Sequence, residues 1–348
     1  MPDRPYFFDL DPDGLEEIVR SLGLPAYRAK QILEWVFAHG VVDPGAMTSL
    51  SRGDRSLLAE RFRFTAGDVV RHQVASDGVE KLLIDWNGAG GSTSDATAEC
   101  VLIPSPPRRT ACVSSQIGCP VGCTFCASGL GGLDGNLSAG RIVEQVWRLG
   151  RLTDAGRVSH VVFMGMGEPL ANFEQVAKAM NMLTADWGLD LSARHITVST
   201  VGLPAQIRRL AGLGLPVTLA ISLHAPDDEL RRELIPWAEF VSIDQLVEAG
   251  RDYFRQTGRE VTLEYILLRD VNDRPEHARR LQGVARRLRS NVNLIRYNEV
   301  EPLRFRRPTD EAVHAFQNVL REGGINVHIR ASRGRDIAAA CGQLRARG

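Results

Sequence analysis

From residue 108 onward, near-continuous apolar runs alternate with amphipathic helical stretches, and this most narrows the folds open to the chain. The strand-like runs are "TACVSS", "HVVFMGM", "HITVST", "VTLAISLH", "VTLEYILL", "VNLIRY" and "NVHIRA". Helical spacing fills 139–151, 172–186, 203–213, 242–257, 275–289 and 309–323. Strands apolar on both faces and joined by helices form parallel sheets through βαβ crossovers. About six units are too few for the closed eight-unit barrel, which leaves a partial barrel or an open doubly wound sheet. Either way, ligand chemistry belongs at the strands' C-terminal ends.

Ahead of this pattern the period changes twice. "DPDGLEEIVRSLGL", "YRAKQILEWVFAHG" and "SRGDRSLLAERF" read as short helices, a small helical accessory region over 1–68. "VVRHQVASDGVEKLLIDW" reads as two strands turning at Asp77-Gly78, "NGAGGSTSDAT" as a loop and "AECVLIP" as a third strand. These make a β extension and linker over 69–105, leaving 106–348 as the core. No run suits a membrane span or a secretory leader. A cytoplasmic protein is expected, where lasting structural disulfides are rare.

That expectation directs attention to the cysteines, at 100, 112, 119, 123, 126 and 341. Three of them fall in "CPVGCTFC" as C-x3-C-x2-C, in the loop after the first core strand. Gly118, Pro120 and Gly122 can wrap such a loop so that Cys119, Cys123 and Cys126 converge on one inorganic site. Zinc and iron both accept thiolate. Zinc needs a fourth ligand, and the nearest histidine, His160, is a whole unit away. A 4Fe–4S cluster held by three cysteines keeps one iron open for a ligand. Read plainly, these would be three structural thiols, but exposed thiols oxidise readily.

The C-x3-C-x2-C loop, with the aromatic Phe125 before its last cysteine, resembles the radical S-adenosylmethionine superfamily. "CVSSQIGCPVGCTFC", "MGMGEPL", "ISLHAP", "DIAAACGQL" and "YRAKQILEWVFAHG" look like RlmN/Cfr-type RNA adenine methyltransferases. The resemblance implies an α/β fold, a partial (βα)6 radical S-adenosylmethionine barrel with a small N-terminal helical accessory domain. It implies one 4Fe–4S cluster on the three cysteines, with S-adenosylmethionine as methyl donor and radical source. Gly167, Glu168, Ser199, Ser222, Leu223, His224 and Asn298 would line the cofactor pocket. Alone, Glu168 sits in an ordinary Gly-rich turn and His224 reads as a satisfied buried histidine.

The same resemblance implies that Cys341 is methylated and that a radical formed on its S-methyl group adds to an adenine carbon. Cys112 would release the product by forming a disulfide with Cys341, and Glu99 would accept a proton. Cys100 has no role and reads as a small buried hydrophobe. Pro169 and "LAISLHAP" look like the C2-methylating branch, Arg296 and Tyr297 like the C8-methylating one; C2 is favoured. The expected substrate is 23S ribosomal RNA, with tRNA a further candidate. A flavodoxin or ferredoxin would supply electrons, and the chain would work as a monomer.

The net charge is zero, with 42 basic and 42 acidic residues, so bulk charge does not argue for RNA. Residues 279–348 do carry fifteen arginines, no lysine and six acids. Arginine-only basicity suits phosphate contacts, although it also fits a solvated face. Two other readings stand beside the favoured one. One is a different radical S-adenosylmethionine reaction with no use for the Cys112 and Cys341 pair. The other is a non-catalytic zinc-bearing RNA-binding module.

Overall fold

The computed structural model describes residues 4–86, 96–152 and 156–345. The loop read at 87–97 lies almost wholly outside them. Three helices come first: α1 (Pro12–Ser21), α2 (Tyr27–Leu33) and α3 (Arg52–Arg61). Asp11 caps α1 by accepting from the Gly14 N–H, and Ser51 caps α3 through the Asp54 N–H. An antiparallel run follows, of β1 (Asp68–Val74), β2 (Glu80–Asp85), β3 (Thr97–Ser105) and β4 (Arg108–Cys112). The turn at Asp77-Gly78 falls where its sequence places it, with Gly78 at φ 79°.

After β4 comes a short hairpin, β5 (Gln116–Gly118) with β6 (Leu133–Asn136), then α4 (Ala139–Leu149). The remainder alternates: β7 (His160–Phe163), α5 (Phe173–Thr184), β8 (Ile196–Thr200), α6 (Pro204–Ala211), β9 (Thr218–Ser222), α7 (Asp228–Leu234) and α8 (Ile243–Thr257). It closes with β10 (Val261–Leu267), α9 (Pro275–Ala285), β11 (Ser290–Arg296), α10 (Asp310–Glu322) and β12 (Val327–Arg330).

One sheet joins ten of these strands in the order β1-β2-β3-β4-β7-β8-β9-β10-β11-β12. From β4 to β12 every pairing is parallel. The parallel strands follow the chain without the reversal that a doubly wound sheet has at its switch point. This resolves the choice left open by periodicity in favour of the partial barrel, with the antiparallel strands extending its first edge.

The N-terminal helices share the core rather than forming one of their own. Phe7 stacks on Phe64, and Phe8 meets Phe37 and Trp147 edge-on. Glu144 of α4, fully buried, accepts from the Tyr6 hydroxyl, the Ala66 N–H and Arg148. The backbone of Phe8 comes so close to Gly140 that an added Cβ would lie 2.5 Å from it, so only glycine fits there. No described helix is long and apolar enough to cross a membrane.

Two elements were not anticipated from the sequence. The β5–β6 hairpin brackets the cysteine loop, with strands too short to show alternation. Helix α7 lies in "DELRREL", where charge dominates; Asp227 caps it through the Leu230 N–H, and Asp228 and Glu229 suit its first turn.

Candidate active site

The cysteine loop is folded by backbone contacts that demand glycine. Gly118 has φ 73°, and a Cβ there would lie 2.0 Å from the Gly132 carbonyl oxygen. Gly122 has φ 68°. Below the loop, Val121 and Phe125 pack with Ala225, Leu234 and Ile235, and the three cysteines rest against this cluster. The Thr124 N–H donates to the Leu234 carbonyl at 3.0 Å, so α7 fastens the loop from behind.

Cys119, Cys123 and Cys126 line one cavity of about 890 Å³, measured out to its open mouth. Burial pushes the Cys119 thiol up to about 12, the Cys123 thiol well above its ordinary value and Cys126 upward as well. The sulfurs also repel one another's ionisation, Cys123 feeling both Cys126 and Cys119. Such thiols become thiolates only beside a compensating cation. Among the described residues, no three of His, Cys, Asp and Glu gather tightly enough to hold a single ion.

Strand ends supply the rest of the wall, as the fold demands. Gly167, Glu168, Ser199, Ser222 and His224 all face the cavity. Glu168 follows β7; burial raises its carboxyl to about 7, against the backbone N–H groups of Leu170 and Val201 that donate to its two oxygens at 2.9 and 2.8 Å. His224 lies beyond β9 at φ 58° and accepts the Ile266 N–H on Nδ1 at 3.1 Å. Burial lowers it to about 3. It is therefore neutral, with its proton on Nε2 by elimination. Leu223 and Asn298 stand off this wall. Leu223 is core, whereas Asn298 donates through Nδ2 to the Cys341 carbonyl at 3.2 Å.

The C-terminal segment crosses the cavity mouth. Cys341 lines the same cavity as the three-cysteine loop and is exposed. Cys112, at the end of β4, is buried behind it; burial raises its thiol to about 12, with Cys341 the largest charge-based contribution. Both thiols are free. Cys100 is fully buried, as its apolar strand setting implies.

Glu99 lies elsewhere. It faces a neighbouring cavity of about 1,090 Å³, on the other side of the segment that carries Cys341. There Lys81 Nζ pairs with one carboxylate oxygen at 2.8 Å, and the Arg345 N–H donates to the other at 2.6 Å. Ser128, Thr200, Glu264 and Arg330 also line the first site and were not singled out from the sequence. Glu264, a lone acid within "VTLEYILL", was the discoverable one. Arg330 lies among many arginines.

Comparison with known proteins gives this geometry a lineage. Residues 113–281 match the Radical SAM superfamily, and residues 7–63 match the ribosomal RNA large subunit methyltransferase N-terminal domain. A Rhodopirellula baltica protein, named a probable dual-specificity RNA methyltransferase RlmN, is 43% identical over 99% of this chain and 91% of its own length. One of the same name from Gloeobacter violaceus is 45% identical over 94% and 92%. This chain belongs to the RlmN family.

A crystal structure of a radical SAM methyltransferase from Sphaerobacter thermophilus superposes with a TM-score of 0.94 and 42% identity, covering 98% of this chain and 99% of that one. Membership of the RlmN family makes this chain a radical S-adenosylmethionine enzyme whose chemistry rests on S-adenosylmethionine and a 4Fe–4S cluster. The residues present suit those groups. Three half-buried thiols face one cavity, and a carboxylate, hydroxyls and a neutral imidazole line its wall.

Proposed function

We propose that this chain methylates C2 of an adenosine in 23S ribosomal RNA, and in tRNA as well, by way of a methylated Cys341. What supports the reading most is that Cys341 shares one cavity with Cys119, Cys123 and Cys126 while a second thiol, Cys112, lies behind it. The names of relatives covering nearly the whole chain agree with it.

Cys119, Cys123 and Cys126 would hold the cluster as its only protein ligands, leaving one iron for S-adenosylmethionine. When bound, these two groups supply the carbon radical that an unreactive adenine carbon requires. Glu168 accepts from the methionine ammonium, its carboxylate already oriented by Leu170 and Val201. Ser199, Ser222 and His224 Nε2–H offer hydroxyl and imidazole contacts around the nucleoside part. Asn298 fixes the backbone of Cys341 rather than the cofactor.

Cys341, as thiolate, takes a methyl group by displacing a neutral sulfide from the sulfonium. Cys112, as thiolate, later attacks the Cys341 sulfur, forming a disulfide; the electron pair of the broken carbon–sulfur bond stays on the methylene carbon, which takes up a proton to become the methyl group. Glu99 is the proton acceptor; Lys81 holds one of its oxygens, and the Arg345 N–H must move away from the other before it meets a base. A flavodoxin or ferredoxin supplies electrons, and the chain acts as a monomer.

Single-turnover methylation of a 23S RNA fragment with methyl-deuterated S-adenosylmethionine and anaerobically reconstituted protein tests this. Methyladenosine keeping two of three deuteriums, eluting as the C2 isomer, is expected. Three retained deuteriums would mean direct transfer and remove the role of Cys341. Cofactor cleavage with no methylated base would point to a different radical reaction.

A further inference from the structure

Cys341 and Gln343 sit on one tight turn, and each faces a different cavity. The Gln343 N–H donates to the Ala340 carbonyl at 3.0 Å, and Gly342 holds φ 83° at the second corner. Cys341, at the first corner, lines the cavity of the three-cysteine loop, whereas Gln343 lines the neighbouring cavity that holds Glu99. The turn is thus the partition between the two. A base that is to meet both Cys341 and Glu99 must lie against it.

The Gln343 amide is half satisfied. Its Nε2 donates to the Glu299 carbonyl at 3.0 Å. Only the nitrogen can donate to a carbonyl, so this contact fixes which way the amide points. Oε1 is buried and accepts no hydrogen bond; among the described residues lining this cavity, no other side chain has a buried polar atom so left. The polar groups around it are engaged elsewhere. Lys81 Nζ meets Glu99 at 2.8 Å and the Ala338 carbonyl at 3.2 Å, and the Arg345 N–H meets the other oxygen of Glu99. A buried acceptor without a donor is costly, and one set in the wall of a cavity calls for a donor on the ligand.

We propose that Gln343 selects adenine, its Oε1 accepting a hydrogen bond from the exocyclic amine of the target base. The assignment rests on the methyltransferase reading and names how that site chooses its base. The amine and C2 flank N1 on one edge of adenine. A base that offers its amine to Gln343 therefore turns C2 toward the same turn, where Cys341 stands. Guanine carries a carbonyl in place of the amine and would set two acceptors against each other. An unstacked base presents this edge for reading. Release of Glu99 by the Arg345 N–H, which the proposed reaction requires, also opens the way to Gln343 two residues before it.

The test is single-turnover methylation by the reconstituted full chain of 23S RNA fragments that carry adenosine, purine ribonucleoside or inosine at the position that becomes methylated. The wild type, Gln343→Met and Gln343→Lys are compared. Purine ribonucleoside keeps C2 and lacks the amine; inosine has a carbonyl in its place. The rate ratio of adenosine to purine should fall about tenfold in Gln343→Met. A ratio within one variant cancels both a general loss of activity and the difference in reactivity between the bases. Gln343→Lys, which offers donors only, should raise the rate ratio of inosine to adenosine. An adenosine-to-purine ratio unchanged in Gln343→Met overturns the proposal. If that variant fails to fold, Gln343→Lys decides it, and an unchanged inosine-to-adenosine ratio overturns it. Methyladenosine formed with these ratios unmoved leaves the methyltransferase reading intact, whereas a wild type that methylates none of the RNAs removes that reading and this inference with it.

Discussion

The backbone N–H of Ala127 donates to the carbonyl of Gly342 at 2.8 Å, so the residue after the last cysteine of the loop is bonded to the residue after Cys341. Side chains reinforce the join: Ser128 Oγ donates to the Leu344 carbonyl at 2.7 Å, and Asn298 Nδ2 to that of Cys341 at 3.2 Å. These bonds set where the Cys341 sulfur stands relative to the loop. Replacing Ser128 and Asn298 together by alanine removes two hydrogen bonds of about 1 kcal/mol each. Amide exchange in 340–345 should quicken by roughly 10- to 30-fold, while exchange in β7–β10 stays unchanged. Equal rates in the double variant would mean that backbone bonds alone hold the segment.

On the proposed reading the three loop thiols hold the cluster and the other three do not. Cys119→Ala, Cys123→Ala and Cys126→Ala should each abolish iron retention after anaerobic reconstitution, with visible absorbance lost. Each protein should still melt cooperatively, since a thiol removed from such a pocket costs about 1 kcal/mol. Cys112→Ala and Cys341→Ala should keep the iron. Iron retained by Cys123→Ala would assign the cluster to other ligands.

Arg231 of α7 is almost fully buried, and its guanidinium reaches the carbonyls of Leu223 at 3.3 Å, Val241 at 3.2 Å and Val201 at 2.5 Å. One side chain thus ties the ends of β8 and β9 to the helix that fastens the cysteine loop. Arg231→Met would take a donor from all three carbonyls, that of Leu223 keeping the Ala225 N–H, a loss on the order of 3 kcal/mol in urea unfolding. Arg231→Lys should recover part of it, lacking the planar fork. A loss below about 0.5 kcal/mol would mean that water replaces the guanidinium.

Much of this was legible beforehand, for reasons that differ by residue. The parallel strands announced themselves because burial on both faces needs continuous apolar runs, and the polar residues ending them, Glu168, Ser199, Ser222 and His224, do face one cavity. The cysteine loop was readable from spacing alone. Asn298 was placed on the wall by resemblance; its amide turns to the Cys341 backbone, a direction that a strand end in sequence does not show. Helix α7 was hidden because seven mostly charged residues carry too little apolar pattern. The partition between Glu99 and Cys341 depends on bonds joining residues more than two hundred positions apart, such as Glu99 with Arg345, and no local pattern encodes those.

At the opposite rim, His160 and His195 stack with ring centroids 4.3 Å apart and planes within 19°. Ser159 Oγ lies 2.9 Å from His160 Nδ1. Burial, then His195 and Arg108, lower the His160 pKa. Its folded-state value lies below the unfolded one, near 6.5. As the pH falls through that unfolded value, the unfolded chain binds more protons than the folded one. The contribution to stability is therefore complete above about 6.5 and is lost on acidification. His160→Gln, which keeps a polar contact for Ser159, should show a flatter decline in melting temperature between pH 7.5 and 5 than the wild type. The two slopes should match above pH 7. Identical slopes throughout would place the acid sensitivity in other groups, with His224, lowered to about 3, the next to replace.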